Sequence, residues 1–209
     1  MRLKPRRVAW VMLGLLAVIA APGMTRESRE SVAQAIDAAY AELFRSDQTT
    51  TLAARGSVEV AFSPDGGCTD ATVRFVGEAR NSIRMAAYGL TSNPIGKALV
   101  DAKKRGVDVR VVVDRDHNGR RNTPNSIVSY LAANGIPVRI DSAVKIQHNK
   151  VLIVDGISVQ NGSFNFTRAA QTSNAENIII HRDFPELAAL FTRNWERLWA
   201  ESADYEPGY

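Results

Sequence analysis

Hydrophobic and polar positions change their period along the chain, and each change marks an element. Residues 27–45 carry Val32, Ala35, Ile36, Ala39, Tyr40, Leu43 and Phe44 at the i, i+3, i+4 spacing of an amphipathic helix. The polar stretch 46–56 reads as a linker. Beyond it, apolar runs of strand length alternate with helical periods. Strands are predicted at 58–62, 83–90, 107–114, 137–141, 150–155, 158–161 and 177–181. Helices are predicted at 69–81, capped by Thr69 or Asp70; at 94–105, with Pro94 in the first turn and Gly106 past the end; at 123–134, closed by Gly135; and at 184–201. The run KVLIVD at 150–155 is too continuously apolar for a strand with one wet face. Such alternation implies an α/β fold, with helices on both faces of a largely parallel or mixed sheet.

The first twenty residues break the pattern. Arg2, Lys4, Arg6 and Arg7 precede the apolar run VAWVMLGLLAVIAA at 8–21, which contains no charge. Its 14 residues fall short of the ~20 that a spanning helix needs. A basic start and a short apolar run read as a secretory signal. Cleavage after Ala20 is favoured over Ala21, which would leave Pro22 first. An uncleaved anchor is the alternative, and the membrane enters this reading only through that segment. The expected division is a signal at 1–20, an N-terminal helix and linker at 21–56, and a catalytic domain at 57–209, in a periplasmic or secreted protein.

Composition narrows the chemistry. A chain of 209 residues, 45% hydrophobic and 23% charged, suits one full-sized domain with a real core. The net charge of +4 resembles a nucleic-acid signature until it is located. The 26 basic residues less the four in the signal leave 22, matching 22 acidic ones, so charge does not identify the substrate. One cysteine, Cys68, excludes an internal disulfide framework and a cysteine-cluster metal site. Three histidines leave little room for a histidine-rich centre. No metal and no cofactor is expected.

One stretch carries the chemistry: His148-Asn149-Lys150, four residues, Asp155, six residues, then Gly162-Ser163-Phe164-Asn165. It matches H-x-K-x4-D-x6-G-S-x-N at every fixed position, and the chain thereby resembles the phospholipase D superfamily. The closest resemblance is to the exported, single-motif bacterial endonucleases of the Nuc type. It continues through 166–170 and 174–177, and upstream through 62–67 and 104–110, so it spans the chain from about residue 58 to the end.

The residue types suit phosphodiester cleavage without metal. Imidazole is a nucleophile that is neutral near pH 7. Lys150 can offset charge on the non-bridging oxygens. His148 and Lys150 stand two apart at the start of a strand, so they point the same way. Ser163 and Asn165 repeat that spacing at the end of the next strand and offer a hydroxyl and an amide. Glu176 can accept a hydrogen bond from the second imidazole nitrogen. The resemblance implies a phospholipase D-like α/β/α sandwich with a mixed sheet. It also implies a covalent phosphohistidine on His148 and phosphate binding by Lys150, Ser163 and Asn165. Asp155 lies five residues past Lys150, where alternation turns it to the opposite side. It reads as a turn or ion-pair residue outside the catalytic set.

The remaining features read blandly. His117, in the polar turn Asp116-His117-Asn118-Gly119, reads as solvated. His181 reads as structural, the run Lys103-Lys104-Arg105 as a solvated helix end, and Trp195 with Trp199 as core. Arg115, Arg120 and Arg121 form a loop cluster whose substrate-facing and solvated readings weigh equally. Cys68 receives no function.

The chain has one H-x-K, whereas the reaction needs two histidines, one to attack and one to protonate the leaving oxygen. A two-fold homodimer with the site on its axis is therefore expected. The leading function is a non-specific DNA endonuclease. The alternatives are a phospholipase D acting on phosphatidyl head groups and an inactive nucleic-acid-binding module on the same fold.

Overall fold

The computed structural model describes Thr25, Ser31, residues 49–118 and residues 126–206. The signal, most of the 27–45 helix, and Arg120 and Arg121 lie outside the described residues. The chain divides into two units, Met1–Thr51 and Leu52–Tyr209. The second carries every element below.

In chain order the elements are β1 (Ser57–Ser63), α1 (Cys68–Glu78), β2 (Ser82–Ala87), α2 (Asn93–Lys104), β3 (Asp108–Asp114) and α3 (Arg115–Asn118). Then come α4 (Ile127–Ala133), β4 (Val138–Asp141), β5 (Lys150–Val154), β6 (Ser158–Gly162) and α5 (Arg168–Thr172). Last come β7 (Glu176–Arg182), α6 (Pro185–Glu201) and β8 (Ala203–Asp204). The strands form one sheet in the order β1-β7-β6-β5-β2-β3-β4-β8. β2, β3 and β4 run parallel and the other pairs antiparallel, so the expected mixed sheet is present.

Burial follows the period-2 alternation. Met85, Val111, Val113, Leu152, Val154, Ile178 and Ile180 face a large core that includes Phe75 of α1, Leu99 of α2 and Leu131 of α4. Ala86, Val112, Val151, Ile153 and Val159 face a smaller core with Ala188, Trp195 and Leu198 of α6. Helices therefore cover both faces of the sheet. Trp195 is core, as expected: its Nε1–H donates to the Met85 carbonyl at 2.8 Å, and its ring stacks on Trp199 at 5.0 Å.

The sequence reading misplaced one cap. α1 starts at Cys68, and Gly67 caps it in the left-handed region with no side-chain bond, in place of Thr69 or Asp70. The Thr69 N–H instead donates to Gln171 Oε1 of α5 at 2.8 Å. A long-range side chain does the work that a local cap usually does. The short elements α3, α5 and β8 were not expected; four, five and two residues are too few to show a period.

Strand direction decides where the chemistry collects. Ala87 pairs with Lys150, Gly162 with Ile178, Ser63 with Glu176, and Asp114 with Asp141. The C-terminal ends of β1, β2, β3 and β6 and the N-terminal ends of β5 and β7 thus share one end of the sheet.

Candidate active site

Four of the five expected site residues sit at that end because strands begin or finish there. Lys150 opens β5, with His148 two residues before it. Glu176 opens β7. Ser163 directly follows β6, one residue past the strand end on which it was expected. The fifth, Asn165, reaches the same end through the loop. Phe164 and Phe166 are 1% and 0% exposed and pin this loop to the core, so Ser163, Asn165 and Thr167 alternate away from them. Phe166 also ties the loop to β2: its N–H donates to the Gly89 carbonyl at 3.0 Å, and its carbonyl accepts from Thr91 and Ser92, each at 2.9 Å.

His148 is exposed, whereas Lys150 is only 7% exposed. The Lys150 ammonium donates to the His148 carbonyl at 2.8 Å and stands 5.0 Å from the Tyr88 ring centre. Burial pushes Lys150 below the ordinary lysine range, and the Glu176 carboxylate opposes that shift. A buried ammonium near a carboxylate and at an open sheet end is suited to an anionic ligand. Ser163 Oγ accepts from the Asn177 N–H at 3.1 Å, which leaves its own hydrogen to donate. Asn165 Oδ1 is buried with no hydrogen-bond partner among the described residues. Asn174 Nδ2 donates to Glu176 Oε1 at 3.1 Å.

Asp155 lies at the opposite end of β5. Its carboxylate accepts the N–H groups of Arg80, Asn81 and Ser82, the last two at 2.7 and 2.8 Å. Burial raises its pKa, but those three donors outweigh burial and hold it below the usual carboxylate range. Asp155 is the turn residue that was expected. Separation along the strand, with β5 ending at Val154, keeps it from the site.

Several residues of this end were missed. Tyr88 sits between rings: its centre is 4.6 Å from that of His148, tilted 59°, and 4.6 Å from that of His117, stacked at 25°. His117, read as solvated, is exposed yet belongs to this cluster. Asp114, 3% exposed, joins the two histidine segments. Its Oδ1 accepts from Asp116 N–H at 2.9 Å and His117 N–H at 3.0 Å, and its Oδ2 accepts from Gln147 N–H at 2.9 Å. Gln147 Oε1 in turn accepts the Asn149 N–H at 2.7 Å, which fixes the backbone on both sides of His148. An acid closing an apolar strand, VDVRVVVD, was the available signal. Of the arginine cluster, the described Arg115 is paired with Asp116 at 2.8 Å.

Comparison with known proteins agrees with this geometry. A family model described as cardiolipin synthase, PLD-like domain, matches residues 73–199. A phospholipase D of Rickettsia bellii is 42% identical over 141 residues, which cover 68% of each chain. A mitochondrial cardiolipin hydrolase of Danio rerio is 38% identical over 126 residues, 59% of this chain and 53% of that protein. The crystal structure of Nuc from Salmonella typhimurium, a phospholipase D family member, aligns with a TM-score of 0.67 at 44% identity, over 72% of this chain and 98% of that one. The complete H-x-K-x4-D-x6-G-S-x-N motif lies within residues 73–199, its His148, Lys150, Ser163 and Asn165 gathered at one sheet end and its Asp155 at the other, and the chain belongs to the phospholipase D superfamily as one of its phosphodiester hydrolases.

Proposed function

We propose that the protein is an exported, metal-independent endonuclease, cleaving DNA through a phosphohistidine at a site shared by two copies of the chain. The observation that carries this reading is a single motif copy whose histidine is exposed in the isolated chain. A second copy across a two-fold axis supplies the second imidazole and covers the first. Val144 and Ile146, 43% and 50% exposed beside His148, give that copy apolar surface to bury.

The reaction runs in two displacements. An imidazole nitrogen of His148 attacks phosphorus, the bond to the leaving oxygen breaks, and the partner's His148 protonates that oxygen. Water then attacks phosphorus, the partner imidazole takes its proton, and the N–P bond breaks. Lys150, Ser163 and Asn165 hold the non-bridging oxygens as charge shifts between them. Glu176 accepts the remaining ring N–H of the attacking histidine and supports its positive charge. Lys150 supplies the cation that a metal supplies elsewhere. The signal at 1–20 directs the chain to the periplasm or beyond.

The names of the Rickettsia and Danio relatives favour a second reading, hydrolysis of a phospholipid head group. An inactive binding module is disfavoured, because it has no use for His148 and Lys150 together. Purified protein in excess EDTA, given plasmid DNA and separately phosphatidylcholine and cardiolipin vesicles, separates the three. Nicking without lipid turnover is expected. Lipid turnover without nicking overturns the nuclease, and inertness towards both overturns the enzyme. Loss of nicking in chelator, restored by magnesium, overturns the metal-free mechanism.

A further inference from the structure

An exposed side chain ordinarily keeps its rotamer freedom, and holding it still costs free energy. His117 is exposed, yet its segment and ring are confined from three directions. Its backbone N–H is bound by Asp114 Oδ1 at 3.0 Å. Its ring lies on Tyr88 at 4.6 Å, nearly parallel. Its Nε2 edge packs over Gly89, where an added Cβ would stand 3.0 Å from Nε2 and 3.1 Å from the Thr167 Cγ2 that borders the same space. The absent side chain at position 89 therefore makes room for this ring. The same Tyr88 touches the ring of His148, and the same Asp114 anchors Gln147 beside it. The held ring is thus built into the support of the nucleophile.

The geometry points to Tyr88 and His117 as a substrate subsite, an aromatic shelf on which a nucleobase next to the scissile phosphate stacks through His117. This rests on the nuclease reading and adds to it a substrate-contacting residue. A planar base matches a fixed flat ring, and stacking on such a ring tolerates any base because each has a π face. An acyl chain or glycerol gains little from a ring held parallel to Tyr88.

The test uses the full chain with two substrates: a short single-stranded oligodeoxynucleotide, and a strand of equal length built of tetrahydrofuran abasic units. The readout is the ratio of kcat/KM for the base-bearing strand to that for the abasic strand. A partly unfolded variant lowers both rates alike and leaves the ratio unchanged. His117→Ala is expected to lower the ratio roughly ten- to hundred-fold, the size of one lost base stack, and His117→Phe to retain most of it. An unchanged ratio in His117→Ala overturns the shelf. An equal loss in His117→Phe overturns stacking, because a flat ring is then not what the substrate reads. A wild-type protein that cleaves neither strand overturns the nuclease reading and the subsite with it, an outcome visible before any variant is made.

Discussion

The two ends of β5 carry the H-x-K and the Asp of one motif and treat their polar groups oppositely. At the Val154 end, the Asp155 carboxylate meets three backbone N–H groups. At the Lys150 end, an ammonium is buried with a lowered pKa, an asparagine oxygen is buried without a partner among the described residues, and an imidazole stands exposed. Burying polar groups without satisfying them costs stability. One end of the strand is built to hold the fold, and the other gives up stability to meet a charged ligand. The fixed Asp of the motif is thus a structural partner of the site, working from the far side of the sheet.

Substitutions at the two ends should separate activity from stability. His148→Ala is expected to lower the cleavage rate by ~10³-fold or more, while the thermal midpoint stays close to wild type, since an exposed side chain contributes little. A rate within tenfold of wild type would remove His148 from the chemistry. Lys150→Met should lower kcat by roughly 10²- to 10³-fold, the loss typical of one charge-stabilising group. Its stability should hold or rise, because a desolvated cation is replaced by an apolar chain of similar length. A clear fall in denaturant midpoint would contradict that sign.

Asp155→Ala strands three N–H groups and should cost about 1–3 kcal/mol in urea unfolding, with kcat per folded molecule retained. Loss of kcat without loss of stability would break the comparison. The pH dependence sharpens it. The folded pKa of Asp155 lies below its unfolded value of about 3.9, so its contribution is fully present above that value and fades as pH falls through the folded one. The stability gap between wild type and Asp155→Asn should therefore narrow below about pH 4, and a gap that widens in acid would reverse the assignment. The smallest effect concerns profile shape. With one neutral and one protonated imidazole required, the rate should be bell-shaped across the histidine range, and a flat profile would argue against shared work.

Most of the strand–helix order was legible because burial imposes its periods on the sequence: VDVRVVVD became β3 and KVLIVD became β5 within a residue. His148, Lys150, Ser163 and Asn165 were proposed from motif spacing and Glu176 from the resemblance that continues through 174–177, and antiparallel pairing brings their segments to one end of the sheet. The residues around them were not. His117 sits in a polar turn that locally resembles any solvated turn, and its place follows from β3 lying beside β2, a pairing that no local period encodes. Gly89 gave no signal because its role is an absence of volume. Gln171 capping α1 is a contact of 102 residues in sequence separation, beyond any capping rule read locally.

The central claim is that one chain holds half a site. Differently tagged wild-type and His148→Ala chains can be co-expressed, the mixed dimer isolated through both tags, and its rate on plasmid DNA compared with the wild-type homodimer. The mixed dimer keeps one imidazole, which can attack or protonate but cannot do both in one displacement, and general acid catalysis contributes ~10²–10⁴-fold. The account predicts a rate far below half of wild type, with phosphate retained on the remaining histidine when the leaving group needs no proton. A rate near half of wild type would mean that each chain works alone, and would contradict the shared site.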